Sequence, residues 1–326
     1  MIEILLKEWI EQVKYYIHLI ADYSIKESQV GAVLDDVLNL SGKMLRSKLL
    51  LLCAFLGSNW KNNKEKICKL AAMVELTHLA SLIHDDIVDD SPYRRGKVSV
   101  QGKYGKDAAV FAGDFLIARI FYYGAVENLN EAVSILSKTV EYMCIGEIEQ
   151  DLCRYQEDIS EKKYFENIER KTAALFQAAS YIGAKEAGCS EEIIQKLELF
   201  VKNLGLMFQL KDDILDFTSN SKELGKETHK DFQNGIYTFP VIMALKNLKA
   251  KEVLLPIMRK NKEEKLSLAE ILQLQNYIIQ FGGIEASYEK IKYLSNINRQ
   301  LIKELGQNSK ITVYLEKILN DLEVEN

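Results

Sequence analysis

Two stretches of the sequence, SLIHDDIVDD (81–90) and QLKDDILDF (209–217), share one spacing, D-D-x-x-D: Asp85, Asp86 and Asp89 in the first, Asp212, Asp213 and Asp216 in the second. Residues four apart lie on one face of a helix, so Asp85 with Asp89, and Asp212 with Asp216, each aim two carboxylates the same way. Like charges so placed oppose a helix by roughly 0.2–0.5 kcal/mol even in water. Beside Ile87, Val88, Ile214 and Leu215 the cost is larger, because unpaired charge against apolar surface is expensive. Something cationic must complete each pair. Hard carboxylate oxygens without nearby thiolates suit Mg²⁺ or Mn²⁺ rather than Zn²⁺. Mg²⁺ takes one or two carboxylates, keeps several waters and fills its shell with substrate phosphates. One such cluster would read equally well as a solvated acidic helix end; two, each closing a long helix and leading into a basic loop, do not. Neither supplies the D-x-D-x-D-G loop and twelfth-position glutamate of a calcium EF-hand.

Cations stand where a polyphosphate would need them. Arg94 and Arg95 follow the first cluster, and Lys226 follows the second. SGKMLRS (41–47) offers Lys43 and Arg46, three apart and so on one helical face, and ERKTAALF (169–176) offers Lys171 beside Thr172. Singly, each is an ordinary surface charge. As a set beside two acidic metal sites they point to phosphate, with Arg suited to a bidentate grip. His84-Asp85 also invites an HD-type phosphohydrolase reading, but His18, His78 and His229 are poorly spaced to supply its further ligands.

The elements that must position these groups read as helices. Only 3 prolines and 17 glycines punctuate 326 residues, which disfavours many short strands. Across 68–90, Leu70, Val74, Thr77, Leu79, Leu82, Ile83 and Ile87 form a broad apolar surface, as in a helix covered on most sides. Similar segments run through 106–126, 128–157, 160–187 and 190–217. DDSPYRRGKVSVQGKYG (89–105) and TSNSKELGKETHKDFQNG (218–235) break the pattern directly after the aspartates, and predict loops at the C-terminal ends of the acid-bearing helices. A net charge of −5 argues against nucleic acid as a partner. The start, MIEILLKEWIEQ, is acidic where a signal peptide begins basic, and the run LLLLCAFLG (49–57) is far shorter than a membrane span. Five scattered cysteines without a C-x-x-C pair fit free thiols in a reducing cytosol. The expectation is a cytoplasmic, all-α protein, not integral to a membrane, with one domain over 1–326.

From about residue 40 to 245 the chain resembles the trans-isoprenyl (polyprenyl) diphosphate synthase family, of the medium- to long-chain type. The motifs are SGKMLRS, VELTHLASLIHDDIVDDSPYRRG, AGDFLIAR, GEIEQ, ERKTAALF and FQLKDDILDF…LGKETHKDFQNGIYTFP, in the family's order; residues 246–326 add C-terminal helices without chemical signal. The resemblance implies a single-domain bundle of long helices around a deep central cavity, the isoprenoid synthase fold, assembled as a homodimer; a small regulatory subunit is the alternative partner. It implies Mg²⁺-dependent head-to-tail (1′-4) condensation of isopentenyl diphosphate with an allylic diphosphate. Asp85 and Asp89 would bind two Mg²⁺ ions and Asp212 with Asp216 a third, Mn²⁺ being an alternative metal. Arg94, Lys171, Thr172, Gln209 and Lys226 would contact the allylic diphosphate. Lys43, Arg46, His78 and Arg95 would hold isopentenyl diphosphate. Asp86 and Asp213 belong to the motifs without a firm ligand role.

Two departures stand out. The family's first basic motif begins Gly-Gly-Lys-Arg and ends Arg-Pro, whereas Ser41, Met44 and Ser47 stand here. The family's Gly-Lys before x-T-L-P reads Gly235-Ile236, which removes one lysine from the allylic diphosphate. Ala80 and Ser81, five and four positions before Asp85, are small, as is Thr77 a turn further down. Family members that stop at short chains carry a bulky aromatic there. The expected product is therefore longer than farnesyl, of the six-to-nine-unit class used for quinone tails. The alternatives are a farnesyl- or geranylgeranyl-length synthase, the catalytic subunit of a heteromeric synthase and, more remotely, a class I terpene cyclase, which would replace the second cluster by an N-D/x-x-S/T-x-x-x-E motif.

Overall fold

The computed structural model describes residues 2–22, 28–39, 42–94, 96–218, 230–306 and 310–323. Lys226 and Arg95 lie outside these. The chain forms two compact units. The first comprises 1–140, 175–199 and 309–311, the second 141–174, 200–308 and 312–326.

In the first unit the helix α4 (Lys64–Val88) is the hub. It packs against α1 (Ile2–Ile20), α3 (Leu45–Ala54), α5 (Val100–Tyr104) and α6 (Lys106–Val126), with α2 (Gln29–Leu38) set against α5 and α6. Neighbours on several sides explain its nearly all-round apolar composition. Helices α4 and α6 are each long and apolar enough to cross a membrane, but α4 spends that surface on the protein core. Two glycines let α6 close on α4: a Cβ at Gly113 would sit 2.2 Å from the His84 ring, and one at Gly124 would meet Met73 Cε at 2.9 Å. The chain leaves α4 through a Schellman-type cap. Asp90 takes a left-handed φ of 48°, and the Ser91 amide donates to the carbonyl of Asp86. The helix thus stops within a residue of its acid cluster. The following stretch, read from sequence as a loop, carries a small antiparallel hairpin, β1 (Tyr93–Arg94) and β2 (Lys97–Val98), and then α5. Two-residue strands are too short for an alternating pattern to reveal.

Helix α7 (Asn130–Leu152) carries the chain from the first unit into the second. The segment 160–187, read as one helix, is three pieces: α8 (Glu161–Ile168), a π turn over Glu169–Ala173, and α9 (Ala174–Glu186). The N-cap of α8 is Ser160, whose hydroxyl accepts from the Lys163 amide. Such π bulges mark functional positions more often than chance, and this one holds Lys171 and Thr172. Glycines grip it within the second unit. A Cβ at Gly205, on α10 (Glu191–Thr218), would lie 2.8 Å from Ala173 Cα, and one at Gly146 on α7 would lie 3.0 Å from the Lys171 nitrogen. Helices α11 (Lys230–Gln233), α12 (Phe239–Ala244), α13 (Leu248–Glu263), α14 (Leu268–Gln280), α15 (Gly283–Glu304) and α16 (Lys310–Leu322) follow. Of these, α12 packs on α8, α14 and α15.

Gly205→Ala drives a methyl group into the π-turn backbone, and such overpacking costs about 1–3 kcal/mol. Denaturant unfolding of that variant is expected to show the loss. Parental stability would mean that the turn is not held by this approach.

Candidate active site

In the first unit the three aspartates of the cluster divide by burial. Asp86 is 2% exposed and is gripped by Arg94, whose Nε lies 2.8 Å from each carboxylate oxygen and whose Nη2 lies 2.8 Å from Oδ1. The hairpin exists at the right place to return Arg94 onto α4, and Gln101 Nε2 donates to the Asp86 carbonyl at 2.6 Å. Asp85 is half-buried and Asp89 exposed, one helical turn apart on one face. Lys106 pairs with Asp90 at 3.0 Å. Arg94, expected on a diphosphate, is thus committed to the buried aspartate in this state.

The basic residues upstream belong to the same unit. Arg46 Nη1 lies 2.9 Å from His78 Nε2, and its guanidinium stacks 4.6 Å above the Phe176 ring. A guanidinium only donates, so a hydrogen bond between the two has His78 Nε2 as its acceptor. Lys43 is exposed. Met44 precedes α3 with a left-handed φ of 51° and is buried. Ser47 shows what its departure from proline provides. Its hydroxyl lies 2.9 Å from Oε2 of the buried Glu75 and 3.0 Å from the Ala71 carbonyl, and its amide, which proline would lack, reaches the same Oε2 at 3.4 Å. Helix α3 is therefore pinned to α4 one turn from His78. Of the three small residues above the first cluster, Thr77 and Ala80 are packed out at 2% and 0% exposure. Ser81, whose hydroxyl donates to the His78 carbonyl, is half-buried.

The second unit repeats the division. Asp213 is 1% exposed. The Tyr164 hydroxyl donates to its Oδ2 at 2.5 Å, and Gln209 Nε2 donates to its Oδ1 at 3.0 Å. The other end of the Gln209 amide accepts from Thr172 Oγ1 at 3.0 Å, so the order Tyr164–Asp213–Gln209–Thr172 fixes which way the amide points. Burial pushes the Asp213 carboxyl up to about 7. Burial also raises the Tyr164 phenol well above its usual range, with the Asp213 charge adding to the effect. Asp212 is exposed and Asp216 half-buried. Lys171 is parked on Glu147, at 2.9 Å from Oε1 and 3.1 Å from Oε2. A cavity in this unit is lined by Lys163, Lys171, Gln209, Asp213, Asp231 and Ile236, among others.

These arrangements suit a hard divalent cation at each outer pair. The middle carboxylates accept from protein donors, while the outer four are half-buried or exposed. Among the described residues no three His, Cys, Asp or Glu side chains converge on one point.

Sequence reasoning assigned no role to Glu75, Glu147, Glu149, Tyr164 or Asp231. Glu147 and Glu149 lay in GEIEQ, and that motif was the available signal.

Comparison with known proteins points one way. The description "Polyprenyl synthetase" attaches to a family model that matches residues 27–275. The heptaprenyl diphosphate synthase component 2 of Geobacillus stearothermophilus is 34% identical over 265 residues, covering 80% of each chain. A short chain isoprenyl diphosphate synthase of Methanocaldococcus jannaschii is 36% identical over 263 residues, covering 77% of this chain and 78% of its own. A polyprenyl synthase from Caulobacter crescentus, crystallised with calcium and isoprenyl diphosphate, superposes with a TM-score of 0.88 at 28% identity, over 98% of this chain and 96% of its own.

Arg94→Met strands the Asp86 carboxylate in a dry site. Breaking a buried pair by removing one partner costs about 3–5 kcal/mol, and urea unfolding at neutral pH is expected to show a loss of that size. A change below about 1 kcal/mol, the range of exposed ion pairs, would show that Asp86 does not depend on Arg94.

Proposed function

The chain belongs to the polyprenyl synthetase family, and from that premise we propose how its residues divide the work. It is a prenyltransferase that makes trans-polyprenyl diphosphates. The observation that carries the assignment of residues is the division of each cluster into one buried, protein-satisfied aspartate and two outer ones. Asp85, Asp89, Asp212 and Asp216 hold divalent ions, three Mg²⁺ in our reading. When bound, such ions supply Lewis-acid charge to a departing diphosphate.

Lys171 leaves Glu147 for the allylic diphosphate and, with Lys226, neutralises it as the C–O bond breaks, while Arg94 keeps Nε and Nη2 on Asp86 and offers the diphosphate its Nη1. Lys43, Arg46, Arg95 and His78 orient isopentenyl diphosphate, whose double bond attacks the allylic carbon. A new carbon–carbon bond forms, and the proton lost from the isopentenyl unit passes to the released diphosphate. The Thr172 hydroxyl donates to Gln209 and keeps its lone pairs for the allylic cation, a fixed-dipole stabilisation that needs no reorganisation. Ser81, one turn below Asp85 and the one of the three small residues with open surface, lets a growing chain pass, so we read the product as long, of the class used for quinone tails. A second subunit fits the chain as well: Phe111, Tyr122 and Val126 form a stripe on one face of α6, exposed by 71%, 61% and 59%. We read it as a homodimer contact in a cytoplasmic enzyme. The second reading, a catalytic subunit with a small partner, rests on the relative's name as a component 2.

Asp85→Ala and Asp212→Ala are each expected to lower the initial rate by at least on the order of 10²–10³-fold with radiolabelled isopentenyl diphosphate, farnesyl diphosphate and Mg²⁺. Their unfolding free energies should stay within about 0.5 kcal/mol of the parent. Undiminished turnover in either would remove its cluster from the site. Ser81→Phe is expected to shorten the product seen by reversed-phase chromatography, and an unchanged ladder would refute the role given to Ser81.

A further inference from the structure

Lys163, on the first turns of α8, lines the same cavity of the second unit as Lys171, Gln209 and Asp231. So does Ile236, which stands where the family pattern has a lysine. Its place is set by Gly235: with φ at 76°, that residue lies so close to Tyr155 that a Cβ would be 2.6 Å from the ring, and its carbonyl accepts from the Tyr155 amide at 2.8 Å. An apolar side chain therefore occupies the wall where one cation is missing. The cavity is nonetheless prepared for a polar guest. Asn167 Oδ1 and Thr238 Oγ1, both on lining residues, are buried without a hydrogen-bond partner, and Thr238 is 6% exposed. Buried polar atoms are satisfied by protein, ordered water or ligand.

We propose that Lys163 supplies the cation that Ile236 does not, as a direct contact to the allylic diphosphate. The charges around it permit the move. Glu149 accepts from Lys163 Nζ at 2.8 Å and from Arg170 Nη1 at 2.5 Å, while Glu147 holds Lys171. Three cations thus share two carboxylates, and Arg170 still neutralises Glu149 when Lys163 departs. The Lys163–Glu149 pair is about a third exposed on each side, and ion pairs of that kind are screened and hold weakly. A compact ammonium on a flexible four-carbon stem can exchange such a partner for a polyanion.

The inference rests on the synthase reading, and direct binding separates the two. Farnesyl diphosphate would be titrated with Mg²⁺ by calorimetry, without isopentenyl diphosphate so that no condensation occurs. Lys163→Gln and Lys171→Gln should each raise Kd roughly tenfold, the scale of one charge-assisted hydrogen bond. Adding Ile236→Lys to Lys163→Gln should restore Kd to within about threefold of the parent, because the charge returns from the neighbouring wall. An unchanged Kd for Lys163→Gln beside a weakened Lys171→Gln overturns this inference alone, as does a weakened Lys163→Gln that Ile236→Lys fails to restore. If neither single variant weakens binding, the diphosphate site itself is misassigned.

Discussion

A carboxylate cannot be buried without donors, and in this protein that constraint is met twice at the points where chemistry is expected. Asp86 is held by the guanidinium of Arg94 and Asp213 by the hydroxyl of Tyr164 and the amide of Gln209. Each buried aspartate ties the end of a long helix to a neighbouring segment, the hairpin in one case and α8 in the other. Each also leaves its two companions projecting one turn apart on the same face.

The surrounding architecture serves to hold that arrangement. The Schellman cap ends α4 within a residue of its cluster, so the loop that follows can bring Arg94 back onto the helix. Ser47 and Glu75 pin the start of α3 to α4, which keeps Arg46 and His78 within hydrogen-bonding distance. In the second unit the π turn, closely approached by Gly146 and Gly205, sets Thr172 against Gln209. The glutamates of α7 hold the lysines, with Glu147 keeping Lys171 beside the cavity it lines.

Much of this was legible in the sequence, and the limits have physical causes. The long helices follow from a helical apolar period sustained over 20 residues or more, and the acid clusters from spacing alone. The hairpin was invisible because its strands are two residues long. The π turn was invisible because it depends on two glycines, on α7 and α10, and not on its own composition. Spacing likewise could not rank the three aspartates of a cluster, since that depends on Arg94 folding back eight residues later and on Tyr164 arriving from 49 residues upstream. Ser47 looked like a weakened motif; the structure gives its amide and hydroxyl a buried acceptor that proline would leave unserved. Ala80 and Ser81 looked equivalent by size, yet their burial differs because neighbouring positions on α4 face different neighbours.

The claim on which these roles turn is that the outer aspartates, and not the buried ones, bind the metal. Anomalous diffraction at the manganese edge, from crystals grown with Mn²⁺ and a non-reactive allylic diphosphate analogue, measures it directly. Peaks should lie at roughly 2 Å from carboxylate oxygens of Asp85, Asp89, Asp212 and Asp216, with Asp86 still on Arg94 and Asp213 still on Tyr164. Metal bound to Asp86 or Asp213, with those partners displaced, would contradict the account.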